Sequence, residues 1–392
     1  MIGPTHFGGT PFGRNAAELS IGQKLKQISW GLVLLLIMIA SVGLAMLYSA
    51  ANGNIDPWMS RQGARLIVGL GLMTVVALTD LRFWLRWAYA FYAFAFLLLV
   101  YVEIAGEIGM GAQRWIDFKF FQLQPSEIMK IALVVALARY FHRLDLEDIR
   151  RHLPLPLVPP LMLVLMPAGL VLVQPDLGTA GMLILIGGVM FFAAGVRMWK
   201  FILIGAAGLA ALPIGWGFMH DYQRQRVLTF LNPESDPLGS GYHIMQSKIA
   251  FGSGGVLGKG FLMGTQSHLN FLPERQTDFI FTMLAEELGM VGGITLLCLY
   301  ALVLLYGFMI ALRSRNQFGR LLAFGITSSM FFYVFINMAM VMGLIPVVGV
   351  PLPLISYGGT SMLSLLMGFG LVQAVNVNRD LRLGQHGQGD EG

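Results

Sequence analysis

Residues 28–50 read ISWGLVLLLIMIASVGLAMLYSA, without one charged side chain. A helix of that length rises ~35 Å, enough to cross a hydrocarbon core ~30 Å thick. The run is too long for a signal-peptide core and lacks a clear cleavage site, so it reads as a retained first span. The residues before it are polar and Gly-rich, with Arg14, Lys24 and Lys26.

The pattern recurs along the chain. Further spans are expected at roughly 63–79, 85–104, 126–142, 155–173, 178–195, 198–219, 279–312, 318–344 and 358–377. This predicts an all-α polytopic integral membrane protein of about ten transmembrane helices. One transmembrane domain, 28–380, lies between an N-terminal tail, 1–27, and a Gly- and Gln-rich tail, 381–392, read as disordered. The eighth expected span is overlong, so its first turns, through Glu286 and Glu287, are expected at the outer surface or in a wet cavity.

Composition agrees. Hydrophobic residues make up 56% of the chain and charged ones 12%, with mean hydropathy +0.69. A soluble chain of this length needs more charge to cover its surface. The single cysteine, Cys298, excludes a disulfide framework and a cysteine-based metal site, and reads as a small packing residue. The basic residues sit in short loops between spans rather than on a soluble domain, so the net charge of +5 does not point to nucleic acid.

Lys and Arg set the orientation. With the N-terminus inside, 16 of the 26 basic residues fall in the inside tails and loops, which places both termini in the cytoplasm. Three outer segments stand out: about 105–125, the long stretch 220–278, and the Pro-rich, uncharged 344–357. Long loops among short ones are commonly functional. Residues 241–258 are expected to form a short interfacial or re-entrant helix followed by a Gly-rich turn.

Ionisable groups near spans are costly and each needs a reason. Glu127 and Lys130, three residues apart, share a helical face and can pair or line an outer cavity. Ser126 is a candidate N-cap for that helix. Asp278 ends a polar loop where the eighth span begins. It can cap the helix or, partly desolvated, serve as a base. Arg114, Arg224, Arg226, Lys248 and Arg275 are outer cations suited as a group to an anionic lipid headgroup. His243 and His268 are lone histidines, and no cluster has zinc spacing.

These segments together resemble the SEDS family (shape, elongation, division and sporulation proteins) over about 28–380. The matching motifs are GAQRWI at 111–116, QPSE at 124–127, QPDLGT at 174–179, LPERQTDFIF at 272–281, GLIP at 343–346 and PLISYGG at 353–359. GTQSH at 264–268 followed by LPER resembles the RodA branch, which serves elongation, more than the FtsW branch, which serves division. RodA-like members often carry His where Gln276 stands, which argues against an essential proton role at that position.

The resemblance implies ten transmembrane helices and a peptidoglycan glycosyltransferase that polymerises lipid II on the outer face of the cytoplasmic membrane. It implies a class B penicillin-binding protein as partner, other membrane proteins of the elongation complex, and glycan linked to undecaprenyl pyrophosphate as donor. Asp278 matches the family's essential aspartate, and Glu127 and Lys130 match functional residues of the fourth span. Substrate contacts are expected from Arg114, Gln124, Ser126, Lys248, Arg275, Thr277 and Ser356. A divalent cation, Mg²⁺ or Mn²⁺, could assist the leaving pyrophosphate. The rival reading is a flippase for the same lipid, since broken helices and intramembrane polar groups also suit transport.

Overall fold

The computed structural model describes residues 20–109, 112–118, 122–144, 155–218, 224, 228–229, 240–268, 274–381 and 383. Most of both expected tails, Arg226, and residues 230–239 and 269–273 of the long segment lie outside the described residues.

In chain order the helices are α1 (Ile21–Gln27), α2 (Trp30–Ala50), α3 (Trp58–Ala77), α4 (Leu81–Ala105) and α5 (Pro125–His142). They continue with α6 (Val158–Val173), α7 (Leu177–Ala193), α8 (Met198–Phe218), α9 (Ser240–Gly254) and α10 (Thr265–His268). The last are α11 (Ile280–Arg313), α12 (Gln317–Val341) and α13 (Gly359–Val377). Each of the ten expected spans falls on one of α2–α8 and α11–α13. Six are long and apolar enough to cross a membrane by composition alone.

Burial explains why α5 carries charge inside the bundle. Every residue from Met129 to Ala138 is buried, with α4, α6, α7, α12 and α13 packed around it. Its polar groups are therefore presented to protein rather than to lipid, where an unsatisfied group costs several kcal/mol. The outer helices reverse this pattern: Leu97 of α4, Leu165 of α6 and Ile202 of α8 are exposed apolar residues. Cys298 is also exposed on α11, so it is a lipid-facing residue and not the packing residue expected.

The segment around 105–125, expected as a loop, forms a small antiparallel sheet. Its strands are β1 (Glu107–Gly109), β2 (Ala112–Asp117) and β3 (Gln122–Leu123), in the order β1-β2-β3. Ile116 of β2 lies opposite Leu123 of β3, which leads directly into α5.

The overlong α11 is broken. Gly289 has φ 67° and ψ −164°, outside helical values. The turn after α9 runs beside the break and satisfies its backbone. Met290 N–H donates to Gly255 O at 3.0 Å and Val291 N–H to Val256 O at 3.1 Å. In the other direction, Lys259 N–H donates to Glu286 O and Gly260 N–H to Glu287 O, both at 3.0 Å. Glu286 and Glu287 are fully buried here, not at a wet surface. Glu286 accepts from Lys259 Nζ at 2.7 Å and from Gln266 N–H at 3.0 Å, and Glu287 from Ser49 Oγ at 2.6 Å. Glu286 thus fastens the turn after α9 to the bent helix, and Glu287 joins both to α2, since it also accepts from Leu262 N–H at 3.3 Å.

The two backbones approach too closely for side chains. A Cβ on Gly258 would lie 2.1 Å from Glu287 O, and one on Gly289 2.3 Å from Gly258 N. Both glycines also have positive φ. Gly289→Ala and Gly258→Ala are therefore expected to destabilise the protein by at least ~2 kcal/mol. Gly252→Ala, in α9 with open space around it, should leave the unfolding midpoint unchanged or slightly raised. Thermal unfolding in detergent checks the contrast.

Candidate active site

The Glu127–Lys130 pair occupies the first turns of α5, and both residues are 4% exposed. Lys130 Nζ lies 2.8 Å from Glu127 Oε1. Tyr333 of α12 donates its hydroxyl to Glu127 Oε2 at 2.6 Å, and Ser364 of α13 donates to the same oxygen at 3.3 Å. The Lys130 ammonium also contacts the Tyr333 hydroxyl and lies 4.4 Å from its ring centroid. A buried ion pair needs such surrounding hydrogen bonds to offset desolvation. A cavity of about 20 Å³ adjoins the cluster, lined by Glu127, Lys130, Tyr333, Ser361 and Ser364 among others. Ser126 is buried beside it, but Gln124 holds the N-cap and Pro125 the first turn, so Ser126 is not the cap. Gln124 N–H donates to Thr360 Oγ1 at 3.3 Å, tying the start of α5 to α13.

Asp278 is half-buried in a turn built around Glu274, directly before α11. Thr277 N–H donates to Glu274 O at 3.0 Å, and Thr277 Oγ1 donates to Glu274 Oε2 at 3.1 Å. Phe279, not Asp278, stands at the N-cap of α11, so the capping reading of Asp278 is set aside. This turn is stapled to the Pro-rich segment before α13. Ser356 Oγ donates to Thr277 O at 2.6 Å, and Tyr357 N–H donates to Gln276 O at 2.8 Å. A Cβ on Gly349 would lie 3.7 Å from Asp278 Oδ2, so the carboxylate faces that backbone.

One helix joins the two clusters. Asn337 of α12 donates to Asp278 O at 3.1 Å and to Val350 O at 2.8 Å. Tyr333, which binds Glu127, lies one turn earlier on the same face, about 6 Å along the axis. Neither Asn337 nor Tyr333 is among the residues expected from the sequence to form the site. The four-residue spacing of two hydrogen-bonding side chains was the available signal.

The other expected residues are placed apart or already engaged. Arg114 of β2 donates from Nε to Gln174 O at 3.3 Å, also to Pro175 O, and lies 3.8 Å from Asp176. Asp176 caps α7 by accepting from Thr179 N–H at 3.1 Å. Arg275 is half-buried beside Asp278 in the chain, and desolvation holds its guanidinium below the ordinary arginine value. Lys248 is exposed on α9. Of the histidines, the side chains of His243 and His268 lie outside the described residues. Among the described residues no three His, Cys, Asp or Glu gather as a metal site.

Comparison with known proteins agrees with this architecture. The family model FTSW_RODA_SPOVE, described as "Cell cycle protein", matches residues 24–381. The chain is 46% identical over 351 residues to the Escherichia coli K12 protein named peptidoglycan glycosyltransferase MrdB, covering 89% of this chain and 94% of that one. A solved chain described under "Structural coordination of polymerization and crosslinking by a peptidoglycan synthase complex" superposes with TM-score 0.77 at 34% identity, covering 90% of this chain and 98% of that one. The Thermus thermophilus rod shape determining protein RodA superposes with TM-score 0.68 at 31% identity, covering 90% and 97%. This chain belongs to the FtsW/RodA/SpoVE family of polytopic membrane proteins.

Proposed function

We propose that this protein is a peptidoglycan glycosyltransferase of the elongation type, which polymerises lipid II with Asp278 as general base. It sits in the cytoplasmic membrane with both termini inside and the Asp278 end of the bundle outside. The relative named MrdB and the likeness to a peptidoglycan synthase complex support the activity. The Lys and Arg distribution supports the orientation. The observation that carries the base assignment is the difference between two carboxylates. Glu127 is only 4% exposed, enclosed within the bundle. Asp278 is half-buried on a braced turn at the end of the bundle, where an acceptor sugar can approach.

The reaction follows from these positions. Asp278 accepts the proton of the N-acetylglucosamine 4-hydroxyl of one lipid II. The hydroxyl oxygen attacks the anomeric carbon of the N-acetylmuramic acid of the strand on undecaprenyl pyrophosphate. The carbon–oxygen bond to pyrophosphate breaks, and its electron pair leaves with the pyrophosphate. One displacement converts an α-linked donor into a β-linkage. Charge grows on the leaving group, and preorganised cations stabilise it. Lys130, neutralised by Glu127, acts beneath the site as half of a buried ion pair that braces α5 against Tyr333. Arg114 and Arg275 are the more accessible cations for the pyrophosphate itself. Among the described residues no cluster of His, Cys, Asp or Glu is fitted to Mg²⁺ or Mn²⁺, and no step here is routed through a metal.

A class B penicillin-binding protein is the proposed partner, cross-linking the strands this protein makes. A flippase would require an open polar route through the bundle. Glu127 and Lys130 instead form a closed pair, which favours chemistry at one end.

Purified protein supplied with labelled lipid II, with and without its penicillin-binding partner, should make glycan strands. Asp278→Ala and Asp278→Asn should lower the rate by about 10²-fold or more with folding intact. Wild-type strands from Asp278→Ala would overturn the base, and lipid scrambling in liposomes without strands would overturn the enzyme. Lys130→Ala leaves Glu127 buried without its cation and should cost roughly 3–5 kcal/mol of stability. Tyr333→Phe, which removes one hydroxyl, should cost about 1 kcal/mol. Unfolding midpoints in detergent would rank the two.

A further inference from the structure

Asn337 is fully buried, and the reaction above leaves it without a role. Its two bonds decide how its amide is turned. Both acceptors, Asp278 O and Val350 O, are main-chain carbonyls, so the NH₂ group must face them. The amide oxygen then points away, and Asn337 Oδ1 is buried with no hydrogen-bond partner. A buried acceptor left unmet is uncommon and needs an explanation. Here the explanation is that one side chain holds two irregular backbones at once.

Those two backbones are the ones that define the Asp278 carboxylate. One carries it. The other, through Gly349, is the surface its Oδ2 faces. Asn337 therefore fixes both the base and the wall beside it to a single rigid helix. The same helix, one turn earlier, holds Glu127 through Tyr333. The separation between the base and the buried ion pair is thus set by the pitch of α12 rather than by flexible loops.

We propose that Asn337 is the positioning residue for Asp278, acting on the transfer step without touching substrate. This inference rests on the reading of Asp278 as the base. Displacing a reacting group by ~1 Å can cost ~10²-fold in rate. Losing the clamp should therefore lower kcat while leaving ground-state binding of lipid II nearly unchanged.

The test measures kcat and KM for lipid II with the purified full-length protein, beside Asp278→Ala. The variants are Asn337→Ala, Asn337→Asp and Asn337→Ser, with an unfolding midpoint for each. Asn337→Asp keeps the shape but loses the amide donors, and Asn337→Ser keeps one donor. The expected result is a fall in kcat of about tenfold or more for Ala and Asp, with KM within about threefold, and a partial return for Ser. The Asp variant buries a carboxyl against two carbonyl oxygens and should unfold at a lower temperature, so its rate is compared per folded molecule. The proposal is overturned if kcat of the Ala and Asp variants stays within about twofold of wild type, if the loss falls on KM, or if activity only tracks the folded fraction. Should Asp278→Ala itself polymerise at the wild-type rate, the base assignment falls and this inference with it. If Asp278→Ala is inactive while the Asn337 variants are unimpaired, only this inference falls.

Discussion

The constraint on which the rest depends is that non-helical backbone inside a membrane bundle must find its hydrogen bonds in protein. The segment between α12 and α13 contains three prolines and no charge, and it meets only part of its own backbone demand, through Leu352, Ile355 and Ser356. Side chains from three helices supply the donors. Asn337 of α12 meets Val350 O, Tyr300 of α11 meets Pro353 O at 2.6 Å, and Gln62 of α3 meets Ser356 O at 3.1 Å. Tyr300 is 1% exposed and Gln62 equally buried, so these are interior bonds without competition from water. The segment becomes a fixed platform, and the turn bearing Asp278 is stapled to it by Ser356 and Tyr357. A loop of this kind gains its precision from the helices that brace it.

The same economy governs charge. Glu127 and Lys130 would be intolerable facing lipid, yet α5 is the most enclosed helix of the bundle. Enclosure alone would still leave two desolvated ions. Tyr333 and Ser364 complete the carboxylate, and the Tyr333 ring shields the ammonium. Glu286 and Glu287 follow the same rule at the bend of α11, where one carboxylate pairs with Lys259 and the other accepts from Ser49. In each case a costly charge is kept where it holds two separate pieces of chain together.

Much of this was legible in the sequence because hydrophobic length is a one-dimensional signal. The run at 28–50 and its nine successors fall on helices, since twenty apolar residues have few alternatives in a bilayer. The Glu127–Lys130 pairing was also legible, because charge three residues apart at the edge of a span is conspicuous and the two side chains do meet. Thr277 and Ser356 were named for substrate but meet each other, which no local pattern shows for residues far apart in the chain. The break at Gly289 depends on pairing with residues 255–260 and so escaped a reading that could see only an overlong helix. The sheet at 107–123 escaped for a related reason: its strands are short, and pairing rather than propensity defines them. Ser126 was displaced from the cap by Pro125, whose ring suits the first helical turn.

Tyr333 shows most clearly where such reading stops. A tyrosine in an apolar span is ordinary, and nothing in its neighbours marks it. Its importance comes from facing α5, four residues before Asn337 faces the Asp278 turn. Two unremarkable positions on one helix thereby become the link between a buried ion pair and an accessible carboxylate. Helix geometry makes that link rigid, because adjacent turns cannot change their spacing without breaking backbone hydrogen bonds. A site assembled from loops gains a fixed distance only if a regular element spans it, and α12 is that element here. The same argument explains why polar side chains in a span need not signal a transport route. When each one is spent on backbone or on a partnered charge, they serve to hold a surface in place.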